Sequence, residues 1–190
     1  IKQKIDDKKI SEAQEQKEMT ELREKSFNDY PGWVAVSRYD NVAVAAFSYE
    51  DESPYIKKLN AKFKTPFSLL VVQIDNKFGK TSIKFDPSSV QIQKWDNSVI
   101  KALPPSDVLN TAHENKEEWL KSLGGTIEVL PGETFTDGFV FFPKSVDMIK
   151  VKRISISLNG KPFILNGQYL TVKQKNEMVK VSQGSGQKQN

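Results

Sequence analysis

Basic side chains near the carboxyl end of the chain have the spacing of a binding surface. Residues 143–190 carry nine basic and two acidic side chains, whereas the whole chain of 190 residues has a net charge of only +4. Lys150 and Lys152 flank the apolar Val151, and in a β-strand this alternation puts both ammonium groups on one face of the sheet. The predicted docking face consists of Lys144, Lys150, Lys152, Arg153 and Lys161.

A basic face of this kind can meet an acidic protein, an anionic lipid surface or a nucleic acid. The aromatic residues beside it, Phe141 and Phe142, follow the pattern of a buried strand. This pattern argues against the exposed stacking rings that single-stranded nucleic acids need. We therefore expect another protein or an anionic surface as the partner. An ordinary solvated sheet face is the other interpretation of the same residues.

Few residues have the types and spacing of catalytic or metal-binding sites. The chain has no cysteine and a single histidine, His113, which excludes disulfides, thiolate metal sites and any mechanism that needs two histidines. Glycine-rich phosphate loops and the zinc-protease helix motif are absent from the sequence. The acidic run at 50–52 lacks the alternating ligands of a calcium loop, so it predicts at most weak cation binding. We expect no cofactor and no catalytic residue.

Two other functions fit the same sequence. If the rings of Tyr49, Tyr55 or Trp95 are exposed in loops, the protein is expected to bind a carbohydrate or a small ligand. Burial of these rings would remove that hypothesis. A hydrolase would instead need two carboxylates from separate strands that meet in space, and the sequence points to no particular pair.

Short alternating runs predict that most of the chain is β-structure. About nine or ten strands separated by turn signals predict an antiparallel β-sandwich over 30–181, with a small barrel as the alternative. The strongest strand is 66–74, whose unbroken apolar centre predicts burial on both faces. Phe139 and Phe141 are expected to pack across the sandwich from this strand, after a chain reversal at 131–132.

The carboxyl-terminal strands carry three local signals. A slip in the alternation at Arg153 predicts a β-bulge. Asn-Gly pairs at 159–160 and 166–167 predict two type I′ turns and hence a three-stranded meander. Residues 182–190 are rich in Gly, Ser and Gln, which predicts a flexible tail.

Two helices are expected beside the strands. Residues 1–29 are mostly charged, and a capping box within them predicts a helix over 12–25 that has little apolar surface to bury. We interpret this segment as a charged helical spacer. A second capping box at Thr111, followed by a glycine stop, predicts an inserted helix at about 111–123.

One succession of motifs spans 66–158. A long apolar strand ends in Asp75-Asn76, a Leu-Pro-Gly-Glu turn follows at 130–133, and an apolar strand that begins with glycine ends in proline at 138–143. This succession resembles the immunoglobulin-like modules of bacterial exported proteins and lipoproteins. The resemblance implies an immunoglobulin-like β-sandwich with a non-catalytic binding or scaffolding role in the bacterial cell envelope, on its periplasmic or extracellular side. We also expect an anchor upstream of Ile1, which would be the protein's only link to a membrane.

Overall fold

The structure is a computed structural model, and it describes residues 2–39, 41–113, 125–144, 146–147 and 150–169. The helices are α1 (Lys2–Asp29), α2 (Pro54–Asn60) and α3 (Pro105–Asn110). The strands are β1 (Pro31–Tyr39), β2 (Val42–Tyr49), β3 (Phe67–Asp75), β4 (Ile83–Phe85), β5 (Gln91–Lys94), β6 (Val99–Lys101), β7 (Ile127–Val129), β8 (Thr134–Pro143), β9 (Val151–Leu158), β10 (Lys161–Asn166) and β11 (Gln168–Tyr169).

The strands form two antiparallel sheets. The first sheet has the order β11-β1-β2-β3-β8, and the second has the order β6-β5-β9-β4-β7 with β10 paired to β9. Both sheets contribute to one apolar core, in which Trp33 and Phe142 from the first sheet and Ile154 from the second are fully buried. The prediction of a mainly β, antiparallel chain with an amino-terminal helix is therefore confirmed.

The other face of the first sheet is covered by the helices. Phe141 pairs in register with Leu69, and Phe139 pairs with Val71. These side chains belong to a second apolar cluster that includes residues of α1, α2 and α3. The expectation that Phe139 and Phe141 pack across the sandwich is therefore wrong, because they lie beside β3 in the same sheet. The burial of β3 on both faces is confirmed, since alternate residues enter the two clusters.

The helix α1 is longer at both ends than the sequence predicts. Met19, Leu22 and Phe27, in its carboxyl-terminal half, pack against the second cluster. In its amino-terminal half, Ile5 and Ile10 are exposed. The helix therefore buries apolar surface only in its second half, which agrees with the small apolar content of the segment.

The remaining helices differ from the prediction. Ser53 caps α2 by accepting a hydrogen bond from the Ile56 N–H, and this short helix is placed where no helix is predicted. The predicted helix does not begin at Thr111, whose hydroxyl donates to the Val108 carbonyl at the end of α3. The next residue, Ala112, forms a β-bridge with Phe63. The rest of the predicted helix, from 114 onward, lies outside the described residues, as does the predicted tail at 182–190.

The predicted β-bulge is present where β9 meets β5. Gln93 pairs with Arg153, whereas the next residue, Lys94, pairs with Val151, so Lys152 is the extra residue on β9. The bulge places the polar Lys152 and Arg153 in succession, between Val151 and Ile154, which are both buried in the core. Its prediction from the slip in alternation is confirmed.

Only one of the two Asn-Gly pairs makes the predicted turn. Asn159 and Gly160 have φ values of 51° and 75° and join β9 to β10, as a type I′ turn requires. After Gly167 the chain crosses to the first sheet, where β11 pairs with β1. The predicted meander is therefore wrong. A Cβ at Gly167 would lie 2.5 Å from the Trp33 ring, so glycine is needed there for a close approach to the ring.

Candidate functional site

Two of the five predicted docking residues contact Trp95 at one end of the second sheet, Lys150 through its backbone and Lys152 through its side chain. The backbone N–H of Trp95 donates to the backbone carbonyl of Lys150 at 3.0 Å. This bond joins the β5–β6 turn to the residue that precedes β9. The Lys152 ammonium lies 5.7 Å from the centre of the indole ring, within the range of a cation–π interaction. Arg153 is the next residue of β9 after Lys152. Lys150 itself lies before the strand and forms an ion pair with Asp147 at 3.8 Å.

The turn that carries Trp95 is fixed by its own hydrogen bonds. The Asp96 carboxylate accepts from the Ser98 hydroxyl at 2.6 Å and from the Ser98 N–H at 2.9 Å, and these bonds lower the pKa of Asp96. Asn97 has a φ of 66°, a left-handed conformation that Asn tolerates. The indole is 64% exposed. Trp95 is therefore an exposed ring on an ordered turn, and Asp96 is ionised at neutral pH, which does not suit a general acid for glycoside hydrolysis.

A row of mainly polar side chains lies next to Trp95 on the outer side of the second sheet. Ile92 pairs with Ile154, and both are buried in the core, so the residues on either side of them in β5 and β9 point outward. Neighbouring strands lie about 4.8 Å apart, which places these outward side chains in contact range of one another. We call this surface, together with Trp95, Lys150 and Lys152, the Trp95 face. Its outward strand residues are Gln91, Gln93, Val99, Lys101, Arg153 and Ser155.

Arg153 contributes a guanidinium to the Trp95 face, and one of its donors is buried. Its Nε is buried and has no hydrogen-bond partner among the described residues. In register it lies between Gln93 of β5 and Asn166 of β10. A guanidinium stays charged at all relevant pH values and offers five N–H donors. Arg153 therefore adds positive charge to this face, whereas its buried Nε is not accessible to a ligand from the solvent.

The other two predicted docking residues lie elsewhere. Lys144 follows β8 in the first sheet and forms an ion pair with Asp51, in the loop after β2. Lys161 pairs with Leu158, at the opposite end of β10 from the residue that pairs with Arg153. Five residue steps along β10, from Lys161 to Asn166, span about 17 Å. The structure therefore divides the predicted face, and only Lys150, Lys152 and Arg153 belong to the Trp95 face.

The acidic run at 50–52 is occupied by ion pairs with lysines. Asp51 binds Lys144, and Glu52 binds Lys57 at 3.0 Å. In the part of the chain that the structure describes, no group of three His, Asp or Glu side chains is arranged to hold a metal ion.

The three rings considered for carbohydrate binding have different environments. Tyr49 and Tyr55 are buried, with their ring centres 5.3 Å apart, so the expectation of exposed rings is wrong for both. Trp95 is exposed. Sequence reasoning treated Trp95 and the lysines as separate candidates, and nothing local joins them, because more than fifty positions separate Trp95 from Lys152. The predicted docking face does not include the outward Gln91 and Gln93, although their alternation with Ile92 in the sequence indicates that they share one face of a strand.

No protein-family model, curated protein or solved structure matches this chain. Within the described residues, no helix has the length and apolar composition needed to cross a membrane. The function is therefore inferred from the geometry of the Trp95 face.

Proposed function

We propose that this protein is a non-catalytic binding module of the bacterial cell envelope and that it binds an anionic partner through the Trp95 face. The observation that carries the proposal is the Lys152 ammonium over an exposed indole, with Arg153 next to it on β9, a strand that pairs with both β5 and β10. Strand pairing fixes the backbone that carries Arg153, so binding does not have to order the chain there, and this favours association.

The electrostatics of the face support a salt-sensitive interaction. Lys101, Lys150, Lys152 and Arg153 supply four cations, whereas Asp96 and Asp147 supply two nearby carboxylates. Each exposed ion pair with a partner is worth about 0.2–1 kcal/mol, and salt weakens it. The free energy of binding must therefore come from several contacts made together, including those to the indole.

The proposed fold is an immunoglobulin-like sandwich. Two antiparallel sheets with a common core support this assignment, and so does the succession of motifs over 66–158. The envelope location is proposed from the same resemblance. The exposed amino-terminal half of α1 suits a spacer between an anchor and the sandwich. A signal peptide or lipobox encoded upstream of Ile1 would support this location, and a cytosolic start immediately before it would contradict it.

Binding to three immobilised anionic probes tests the proposed function. The probes are polygalacturonate, phosphatidylglycerol vesicles and polyglutamate. We expect at least one of them to bind, and we expect Lys150→Glu with Lys152→Glu to weaken that binding about tenfold or more, because two attractive charges become repulsive. The matched control is Lys77→Glu with Lys80→Glu, which reverses two exposed lysines in the β3–β4 loop. The proposal is wrong if no probe binds, or if both double variants weaken binding equally.

A further inference from the structure

We infer that the ligand of the Trp95 face is an acidic polysaccharide, a chain of sugar rings that carry carboxylate groups. This inference rests on the proposed function and specifies its partner. It is drawn from three features that the face holds together: an exposed flat ring, a cation beside that ring, and a row of neutral hydrogen-bonding side chains across the neighbouring strands.

The indole of Trp95 offers a platform for a sugar ring. The ring is 64% exposed, and its turn is held by the Asp96–Ser98 hydrogen bonds, so binding does not have to order it. One face of a pyranose ring is made of C–H groups, which pack against the electron-rich face of an aromatic ring. The Lys152 ammonium lies over the ring, 5.7 Å from its centre, so a sugar that packs on this face would displace it to the side, where it can pair with a carboxylate on the same sugar.

The strands beside Trp95 suit the hydroxyl groups of the next sugars. Gln91, Gln93 and Ser155 present amide and hydroxyl groups that both donate and accept hydrogen bonds, as sugar hydroxyls do. Arg153 lies in the same rows and adds positive charge there. A polymer laid across the face would therefore meet a ring, a cation and neutral hydrogen-bonding groups in succession.

The same features argue against nucleic acids and lipid surfaces as the partner. Single-stranded nucleic acids stack successive bases on several aromatic rings in a strongly basic groove, whereas this face has one ring among the described residues and includes Asp96 and Asp147 near its lysines. A lipid surface favours a larger group of apolar residues that can enter the membrane. The rows next to Trp95 consist mainly of polar side chains.

Substitution of Trp95 tests this inference with the full chain. We expect the protein to bind polygalacturonate, Trp95→Ala to weaken that binding about tenfold or more, and Trp95→Tyr to keep most of it. The matched control is Phe78→Ala, because Phe78 is also exposed (70%) and has the Lys77 ammonium 5.8 Å from its ring centre. Thermal melting of each variant is measured first, and unchanged melting is expected because both rings are at the surface.

The remaining probes separate this inference from the proposed function. Binding to the vesicles or to polyglutamate without binding to polygalacturonate would overturn the polysaccharide inference and leave the proposed function standing. Tighter binding of an oligothymidylate or of neutral dextran would also overturn it. Equal losses in Trp95→Ala and Phe78→Ala would show that the indole has no special role, and this result too would overturn it.

Discussion

Burial determines the acid–base behaviour of the tyrosines under α1. Tyr55 is 3% exposed and lies in edge contact with Tyr49. Removal from water raises the pKa of Tyr55 to about 12 and raises the pKa of Tyr49 as well. The nearby Arg23 guanidinium lowers both values, but desolvation has the larger effect. Both phenols are therefore neutral structural groups at physiological pH.

We predict that the protein loses stability as the pH rises from 10 to 12 and that Tyr55→Phe loses less. In the unfolded chain tyrosine gives up its proton near pH 10, whereas in the folded chain Tyr55 keeps it until about pH 12. The unfolded state then binds fewer protons, so the free energy of unfolding falls by up to about 1.4 kcal/mol per pH unit for this residue. Urea unfolding at a series of pH values measures the slope. Identical slopes in the two proteins would contradict the prediction.

Among the elements, α1 packs on the first sheet through its second half. The centres of the Phe27 and Phe47 rings lie 5.0 Å apart. Arg23 forms an ion pair with Asp137 at 2.7 Å and lies 5.9 Å from the centre of the Phe139 ring. These contacts attach the helix to β2 and β8 of the first sheet.

We predict that Phe27→Ala lowers the free energy of unfolding by about 2 kcal/mol, because it removes a half-buried ring from the contact between α1 and the first sheet. Ile10→Ala in the same helix is the control, since Ile10 is 65% exposed and we expect a change of less than about 0.5 kcal/mol. Chemical unfolding followed by circular dichroism measures both. Equal effects of the two substitutions would show that α1 is not anchored through its second half.

In the whole molecule, the first sheet belongs to two apolar cores. Successive residues of β8 enter different cores: Phe141 packs beneath the helices, and Phe142 packs between the sheets. Because the two cores have this sheet in common, neither can be lost without disturbing the strands that form the other.

We predict that Phe141→Ala and Phe142→Ala each lower the free energy of unfolding by about 3–5 kcal/mol and that each variant unfolds in a single transition. Phe141→Asp is expected to unfold the domain, because it buries a charge without a partner. Guanidinium unfolding monitored by both fluorescence and circular dichroism measures the transitions. A separate early transition in Phe141→Ala would mean that the helix-covered core is an independent unit. A soluble Phe141→Asp variant with unchanged melting would contradict the core position of this residue.

Local patterns in the sequence predicted the elements that depend on neighbouring residues. The apolar centre of β3, the Asn159-Gly160 turn and the bulge at Lys152 were all predicted. Alternation and turn chemistry act over a few residues, so they are readable without the fold. Of the basic residues of the Trp95 face, Lys150, Lys152 and Arg153 were among the predicted docking residues, whereas Lys101 was not. The predicted alternation of Lys150 and Lys152 along one strand is not found, because Lys150 lies before β9.

Only the tertiary structure decided which surfaces meet. Gly167 leads to the other sheet instead of a hairpin, because its missing Cβ allows the chain to pass close to Trp33, and no local signal carries that information. The helices cover Phe141 from the side opposite to the predicted one. Pairing of β5 with β9 brings Trp95 to Lys152, while the same fold leaves Lys144 in an ion pair elsewhere. The alternation in the sequence determined which side chains share one face of a strand. Pairing between strands that are distant in the sequence determined which of these faces lie side by side in one surface.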